Sequence, residues 1–105
     1  MARTPREVRG SKTGRPIMVA LDLLGRRWML RVLWELRAAP LTFRALQRAC
    51  GDPSPTVLNS RLRELREAKI VEATEDGYTL SKAGQELLTS LAPLHAWAKR
   101  WATSV

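Results

Sequence analysis

The sequence predicts a mainly α-helical fold with one small β-hairpin. Apolar residues recur at three- and four-residue spacing in five segments, which is the period of amphipathic helices. Only the segments 70–74 and 78–80 resemble strands, and Glu75-Asp76-Gly77 between them carries the Asp-Gly signal of a tight hairpin. With 105 residues, 45% of them hydrophobic, the chain is long enough for a single domain with its own core.

The N-terminal segment 1–15 is expected to be a flexible basic arm, and the folded domain is expected to span 16–105. The arm has no apolar stripe, and its only acidic residue is Glu7. Its basic residues are Arg3, Arg6, Arg9, Lys12 and Arg15. Such an arm can lie along DNA phosphates or enter a minor groove, and the alternative is a solvated tail.

Two helices are predicted next. The first follows Pro16 and is stopped by Gly25, and the second ends before Pro40. Their apolar faces consist of Ile17, Ala20, Leu21 and Leu24, and of Met29, Val32, Leu33 and Leu36. Trp28 and Trp34 lie outside the second apolar face, so we expect the second helix to be buried on more than one side.

A short helix, a tight turn and a longer helix follow. Thr42 caps the short helix, which turns Phe43 and Leu46 inward and leaves Arg44 and Arg48 outward. The turn is Cys50-Gly51-Asp52-Pro53, and the longer helix covers 54–67, with Ser54 as N-cap and Pro55 at its first position. Its core side holds Leu58, Leu62 and Leu65, and its polar side holds Thr56, Asn59, Ser60 and Arg63.

A last helix is predicted after the hairpin, with Ser81 as its cap and Pro93 as a kink. Its alternating spacing of four and three residues is suited to packing against a partner helix. The residues of this seam are Leu87, Leu91, Leu94, Ala98 and Trp101. A short helix, a turn, a polar-faced helix and a hairpin together predict a winged helix-turn-helix.

The charge indicates the partner. A formal charge of +8 on a small domain favours a polyanion, with nucleic acid first and an anionic membrane surface second. Asparagine and arginine on the polar side of 54–67 can pair with base edges. The chain has no apolar run of membrane-spanning length and no secretory signal, so we expect no membrane partner and a cytoplasmic, nucleoid-associated location.

These segments resemble a known family, the HxlR-type winged helix-turn-helix transcriptional regulators of bacteria and archaea. Residues 20–28 are similar to its A-L-D-L-I-G-G-K-W signature, 41–46 to its R-F-S-E-L segment, and 54–65 to its S-P-K-V-L-S-Q-R-L-R-E-L recognition helix. Residues 78–84 match its Y-x-L-T-P-A-G entry to the last helix, and Trp97 falls on its closing tryptophan. The resemblance covers residues 15–98.

The resemblance implies a sequence-specific regulator, most often a repressor, that binds double-stranded DNA as a homodimer joined through its first and last helices. Each recognition helix would enter a major groove. The groove-facing positions that it implies are Ser54, Thr56, Asn59, Ser60 and Arg63. The phosphate contacts that it implies are Thr42, Arg44 and Arg61.

Three positions depart from the family pattern. Arg15 stands where many members carry an oxidant-sensing cysteine before the domain's first proline. The wing is short, and the carboxylates of Glu75 and Asp76 would be repelled by phosphate, so we expect a weak wing contribution that the arm compensates. A basic residue that is common at the position of Thr56 is missing.

Cysteine and aromatic residues allow alternatives. Cys50 is expected to be a buried structural thiol rather than a redox or metal sensor, and His95 a partly exposed helix residue rather than a metal ligand. Trp97 and Trp101 are expected at the dimer interface. Alternatively, their rings hold a small flat aromatic effector between subunits together with Trp28 or Trp34.

The sequence contains no arrangement that indicates catalysis. It has no nucleophile–base pair, glycine-rich phosphate loop or paired carboxylates, so neither an enzyme, a metal nor a cofactor is expected. Two other functions stay open beside specific regulation. They are a non-specific architectural DNA-binding protein and a winged helix that serves as a protein-interaction module.

Overall fold

The computed structural model describes residues 15–104, so the predicted arm lies, except for Arg15, outside the described residues. Residues 15–104 form five helices and one two-stranded antiparallel hairpin. The elements are α1 (Pro16–Leu24), α2 (Met29–Glu35), α3 (Phe43–Ala49), α4 (Pro55–Glu67), β1 (Val71–Thr74), β2 (Gly77–Leu80) and α5 (Lys82–Ser104). The predicted element order of a winged helix-turn-helix is confirmed.

The core lies between α2, α3, α4 and the hairpin. Leu58, Leu62 and Leu65 of α4 are each at most 2% exposed, and they share one cluster with Met29 and Leu33 of α2. Burial of each such side chain contributes about 1.5–3 kcal/mol relative to exposure. The predicted inner faces of α2 and α4 are therefore confirmed.

The prediction that α2 is buried on more than one side is wrong. Trp28 precedes the helix and has a left-handed backbone with a φ of 73°, so its side chain does not extend the helical face. Trp34 is 36% exposed, because the outer side of this short helix has only part of α5 beside it.

Local hydrogen bonds fix the start of α4. The turn before it places Gly51 at a φ of 88° and Asp52 at 61°, and the Gln47 side chain donates to the carbonyl of Pro53 at 3.0 Å. The Ser54 hydroxyl then accepts from the Val57 N–H at 3.2 Å, as an N-cap does. The predicted N-cap of α4 is confirmed.

The hairpin pairs Val71 with Leu80 and Thr74 with Gly77. One further pairing was not predicted from the sequence. Leu41 forms an isolated bridge with Tyr78 of β2. Gly77 permits this approach, since a Cβ atom on it would lie 2.3 Å from the carbonyl oxygen of Leu41. The wing is thus joined to the segment that precedes α3.

Helix α5 is long but contributes little to the core of its own chain. It has 23 residues, continues through Pro93, and buries only Gly84. A Cβ atom on Gly84 would lie 2.3 Å from the carbonyl oxygen of Ile70, so this glycine lets α5 approach the hairpin closely. Among residues 15–104, no helix combines the length and the apolar character that crossing a membrane requires.

Candidate nucleic-acid interface

The outer side of α4 carries the polar residues that the sequence indicated. Thr56, Asn59 and Arg63 are exposed, as is the cap Ser54, while Ser60 is half-buried. Their exposure is what the prediction requires, and their contact with DNA stays a prediction. All lie on or next to a helix whose opposite side is locked into the core by three leucines.

Arg66 belongs to the same side of α4 and was missed by sequence reasoning. It is exposed and lies three residues after Arg63 and seven after Asn59. This spacing brings side chains to one face of a helix. Thr56, Asn59 and Arg63 are spaced by three and four residues, and one further step of three reaches Arg66. The resemblance to the family gave no reason to end this face at Arg63.

Two hydroxyl groups are fixed by the backbone near this surface. The Thr42 hydroxyl accepts from the Ala45 N–H at 3.2 Å, as the Ser54 hydroxyl does from its own helix. A hydroxyl that accepts a bond still has its own O–H to donate. Thr42 and Ser54 can therefore cap their helices and donate to a phosphate or base at the same time.

Positive charge on α3 and α4 is largely unneutralised. Arg44 and Arg48 are exposed one helical turn apart on α3, and Arg63 and Arg66 are exposed on α4. Within residues 15–104, none of these four arginines forms an ion pair. Such guanidinium groups are suited to phosphate oxygens, which accept hydrogen bonds in a matching geometry.

Arg61 has a different environment. It is half-buried, and its Nη1 atom donates to Glu64, whose other carboxylate oxygen lies 2.8 Å from Arg26. The Nε atom of Arg61 is buried without a hydrogen-bond partner. A phosphate would therefore compete with Glu64 for Arg61, and the phosphate contact of Arg61 stays a prediction.

The wing ends in a closed, acidic tip. Glu75 and Asp76 connect the paired residues Thr74 and Gly77, and both are exposed. The Thr74 hydroxyl accepts from the Asp76 N–H at 3.2 Å and donates to the Gly77 carbonyl at 3.0 Å. The tip is thus a compact turn with two negative charges, which is the wing that the sequence predicted.

Four rings of the described residues form two separate stacked pairs. Trp97 and Trp101 stack with their centroids 5.6 Å apart, and they are 49% and 52% exposed. Trp34 stacks on His95 at 5.1 Å. Within the part of the chain that the structure describes, no ring contact joins Trp28 or Trp34 to the Trp97–Trp101 pair. An effector held between subunits by Trp97 and Trp101 together with Trp28 or Trp34 stays a prediction.

Cys50 lies in the core and is 1% exposed, which confirms the predicted buried thiol. Burial raises the pKa of this thiol, Glu35 raises it further, and Arg31 opposes the rise. A raised pKa disfavours the thiolate, which is the reactive form of cysteine.

Comparisons with known proteins agree with this geometry. The model of the HxlR-like helix-turn-helix matches residues 23–105. The HTH-type transcriptional regulator Rv3095 of Mycobacterium tuberculosis is 33% identical over 99 residues, which cover 88% of this chain but only 60% of that protein. The chain thus spans about three-fifths of the length of this mycobacterial relative.

Two solved structures resemble the fold. The crystal structure of quinone-bound YodB from Bacillus subtilis has a TM-score of 0.74 at 31% identity, covering 80% of this chain and 96% of that chain. A protein described as a transcriptional regulator of the MarR family from Enterococcus faecalis V583 has a TM-score of 0.74 at 26% identity. That match covers 93% of this chain and 96% of the other.

Proposed function

The chain belongs to the HxlR-like helix-turn-helix family, and we propose that it regulates transcription as a homodimer that inserts α4 of each subunit into a major groove of operator DNA. The observation that carries this proposal is the outer side of α4. Its exposed side chains are short polar groups, an amide and arginines, while its inner side is fixed in the core.

The side chains divide into two kinds of contact. Asn59 and Arg63 read base edges, because an amide pairs bidentately with adenine and a guanidinium with guanine. Thr56, Ser60 and Ser54 make adaptable hydroxyl contacts. Phosphates are contacted by Thr42, the N-cap of α3, by Arg44 and Arg48 of α3, and by Arg66 of α4. Arg61 adds a phosphate contact when it is released from Glu64. Such phosphate contacts set the register on the duplex without selecting sequence.

Exposed apolar side chains support the homodimer. Seven large hydrophobic side chains of the described residues, on α1, α2 and α5, are at least 40% exposed. Burying their apolar area against a partner would contribute about 25 cal/mol per Å². They are Ile17, Met18, Leu21, Leu30, Leu94, Trp97 and Trp101. Since α5 buries only Gly84 against its own chain, the first and last helices of a second copy are the fitting partner.

Repression and effector control complete the proposal. A dimer bound at a promoter excludes polymerase, so repression is the expected direction, in the cytoplasm and at the nucleoid. YodB has been solved with a quinone bound, and we extend to this chain the binding of a small aromatic effector. Arg15 precedes Pro16 in this chain, so effector sensing does not use a cysteine at this position.

A gel shift with random duplex at low salt tests DNA binding, and sedimentation equilibrium tests the dimer. We expect binding that weakens steeply with salt, and twice the mass of one chain. Deleting residues 1–14 should lower the affinity for all duplexes if the arm contacts phosphates. No binding to any duplex at low salt would contradict the proposal and favour a protein-interaction module.

A second candidate is a non-specific architectural DNA-binding protein. The acidic two-residue tip of the wing favours it, because repulsion from phosphate removes one source of sequence-dependent contacts. Such a protein would bind operator and random duplex with equal affinity. Selection of bound fragments from random DNA separates the two candidates, because only a specific regulator enriches a sequence motif.

A further inference from the structure

A shallow depression of about 470 Å³ at the junction of α1 and α2 is lined by three arginines, Arg26, Arg27 and Arg31. The other lining residues carry no charge, so no acidic residue among residues 15–104 lines the depression. The backbone at this junction is fixed on both sides of one peptide. The Arg26 N–H donates to the Leu23 carbonyl at 3.3 Å, and the Arg26 carbonyl accepts from the Met29 N–H at 3.0 Å.

Two of the three arginines already have a carboxylate partner. Arg26 lies 2.8 Å from Glu64 of α4, and Arg31 lies 2.8 Å from Glu35 of α2. Arg31 also donates to the Ala49 carbonyl, at the end of α3, at 2.8 Å. These contacts hold the depression against α3 and α4. A guanidinium has five N–H donors, so both arginines keep donors that these contacts do not use.

Arg27 is the third arginine, and it has no such partner. It is exposed and forms no ion pair within residues 15–104. Its Cζ atom lies 5.5 Å from the centroid of the half-buried Trp28 ring. The indole faces the plane of the guanidinium, whereas the N–H donors point outward within that plane. Arg27 is therefore free to bind an anion in the bidentate geometry that phosphate oxygens accept.

The depression borders one flank of α4. Arg61 and Glu64 lie on this flank, between the buried leucines and the exposed outer side, and both are half-buried. A helix with its side chains is about 10–12 Å wide and the major groove is about 12 Å wide, so the flanks of an inserted helix face the two phosphate backbones. Glu64 engages both Arg61 and Arg26. Among the described residues of the depression, Arg27 is thus the cation left for a phosphate on this side.

We propose that this depression binds a backbone phosphate of DNA beside the groove that α4 enters, with Arg27 as the phosphate-binding side chain. The site rests on the proposed function, since it requires α4 to lie in a major groove. Arg26 and Arg31 add donors without leaving their carboxylates. Like other phosphate contacts, this one adds affinity and fixes the register on the duplex without selecting sequence.

The affinity of Arg27→Gln for operator and random duplex tests the site. We expect both affinities to fall equally, by about tenfold, because one charge-assisted hydrogen bond is lost. The slope of log affinity against log salt concentration should become shallower by about 0.9, which corresponds to one phosphate contact. Arg27→Lys should restore this slope, because lysine keeps the charge.

Arg37→Gln is the matched control. Arg37 is exposed beyond the other end of α2, lies 3.9 Å from the centroid of the Trp34 ring, and forms no ion pair within residues 15–104. The control removes the same charge and should leave the salt slope unchanged. An equal change of slope in Arg27→Gln and Arg37→Gln would show that only the total charge matters, and would overturn the proposal. A loss confined to operator would overturn it too.

NMR on the full chain observes the depression directly. The chain has four tryptophans, and Trp28→Phe assigns the indole N–H signal of Trp28. A short random duplex should shift this signal saturably, and the shift should be smaller in Arg27→Gln. Inorganic phosphate at the same concentration should leave the signal in place. A saturable shift with inorganic phosphate alone would assign a free-anion site and overturn the proposed DNA contact.

Failure of the phosphate site and failure of the proposed function give different results. A parent chain that binds no duplex at low salt overturns both. A parent chain that binds duplex with the same salt slope as Arg27→Gln overturns the phosphate site alone, and α4 remains the proposed DNA-reading helix.

Discussion

Glu64 on α4 lies 2.8 Å from Arg26 in the turn between α1 and α2. The same carboxylate accepts a hydrogen bond from Arg61, one turn earlier on α4. One carboxylate thus ties the proposed recognition helix to the N-terminal part of the fold and holds an arginine beside the helix. The side chains of Glu64 and Arg61 are 22% and 19% exposed, so solvent only partly screens this pairing.

Glu64→Gln should release Arg61 for phosphate contact. Glu67→Gln is the matched control, because Glu67 is exposed on the same helix and forms no ion pair within residues 15–104. We expect Glu64→Gln alone to lower the free energy of unfolding, by about 1 kcal/mol. The slope of log affinity for random duplex against log salt concentration should be steeper for Glu64→Gln than for the control by about 0.9. This difference corresponds to one additional phosphate contact. Identical slopes would show that Arg61 stays off the DNA.

Arg63→Ala should reduce operator affinity by about 1–3 kcal/mol and relax the base preference at one position. Random duplex should lose less, because its binding rests on phosphate contacts. Arg66→Ala is the comparison, since a phosphate contact should weaken operator and random DNA alike. Fluorescence anisotropy with both duplexes at one salt concentration measures the four affinities. An equal loss on both duplexes for Arg63→Ala would assign Arg63 to the backbone.

Gly84→Ala should destabilise the fold strongly. The new Cβ atom would lie 2.3 Å from the carbonyl oxygen of Ile70, so α5 must move away from the hairpin. We expect a loss of about 3 kcal/mol in urea unfolding, at the upper end for overpacking. Gly51→Ala is the control, because its Cβ would meet nothing within 4 Å and only the φ of 88° is strained. That strain costs about 1–2 kcal/mol. An equal loss of unfolding free energy in Gly84→Ala and Gly51→Ala would mean that α5 moves away from Ile70 at little cost.

Cys50 should make the free energy of unfolding fall as the pH becomes alkaline. Burial raises the pKa of its thiol above the ordinary value of 9.0. The folded state therefore favours the neutral thiol, and this stabilisation is complete below pH 9.0 and lost as the pH rises through the folded pKa. Urea unfolding of the parent and of Cys50→Ala at neutral and alkaline pH should show a steeper decline for the parent. Parallel declines would show that Cys50 does not titrate differently in the folded chain.

Sequence periodicity was sufficient for the helices and for the inner face of α4, because these depend on neighbours three and four residues apart. Ser54 as a cap follows from the same local chemistry. Contacts between distant segments were not predictable in this way. The Leu41–Tyr78 bridge and the Glu64–Arg26 pair each join segments whose approach is set by the packed core rather than by local sequence.

The candidate site was predictable to the same extent. The exposed residues of α4 follow from its period, and Arg66 would have been included by extending that period. The closeness of Arg37, Trp34 and His95 was not predictable, since it requires α5 to return past the end of α2. The role of Gly84 in the Y-x-L-T-P-A-G-like segment likewise became clear only from its distance to Ile70.

Selection of bound fragments from random DNA tests the central claim most directly, because it reports specificity and dimer geometry together. We expect an enriched motif with two-fold symmetry, whose half-sites are centred about 10–10.5 base pairs apart or a multiple of this. Arg63→Ala should lose the preference at one position in each half-site. Fragments that bind without any enriched motif, or a motif with a single unrepeated half-site, would contradict a homodimer that reads DNA through α4.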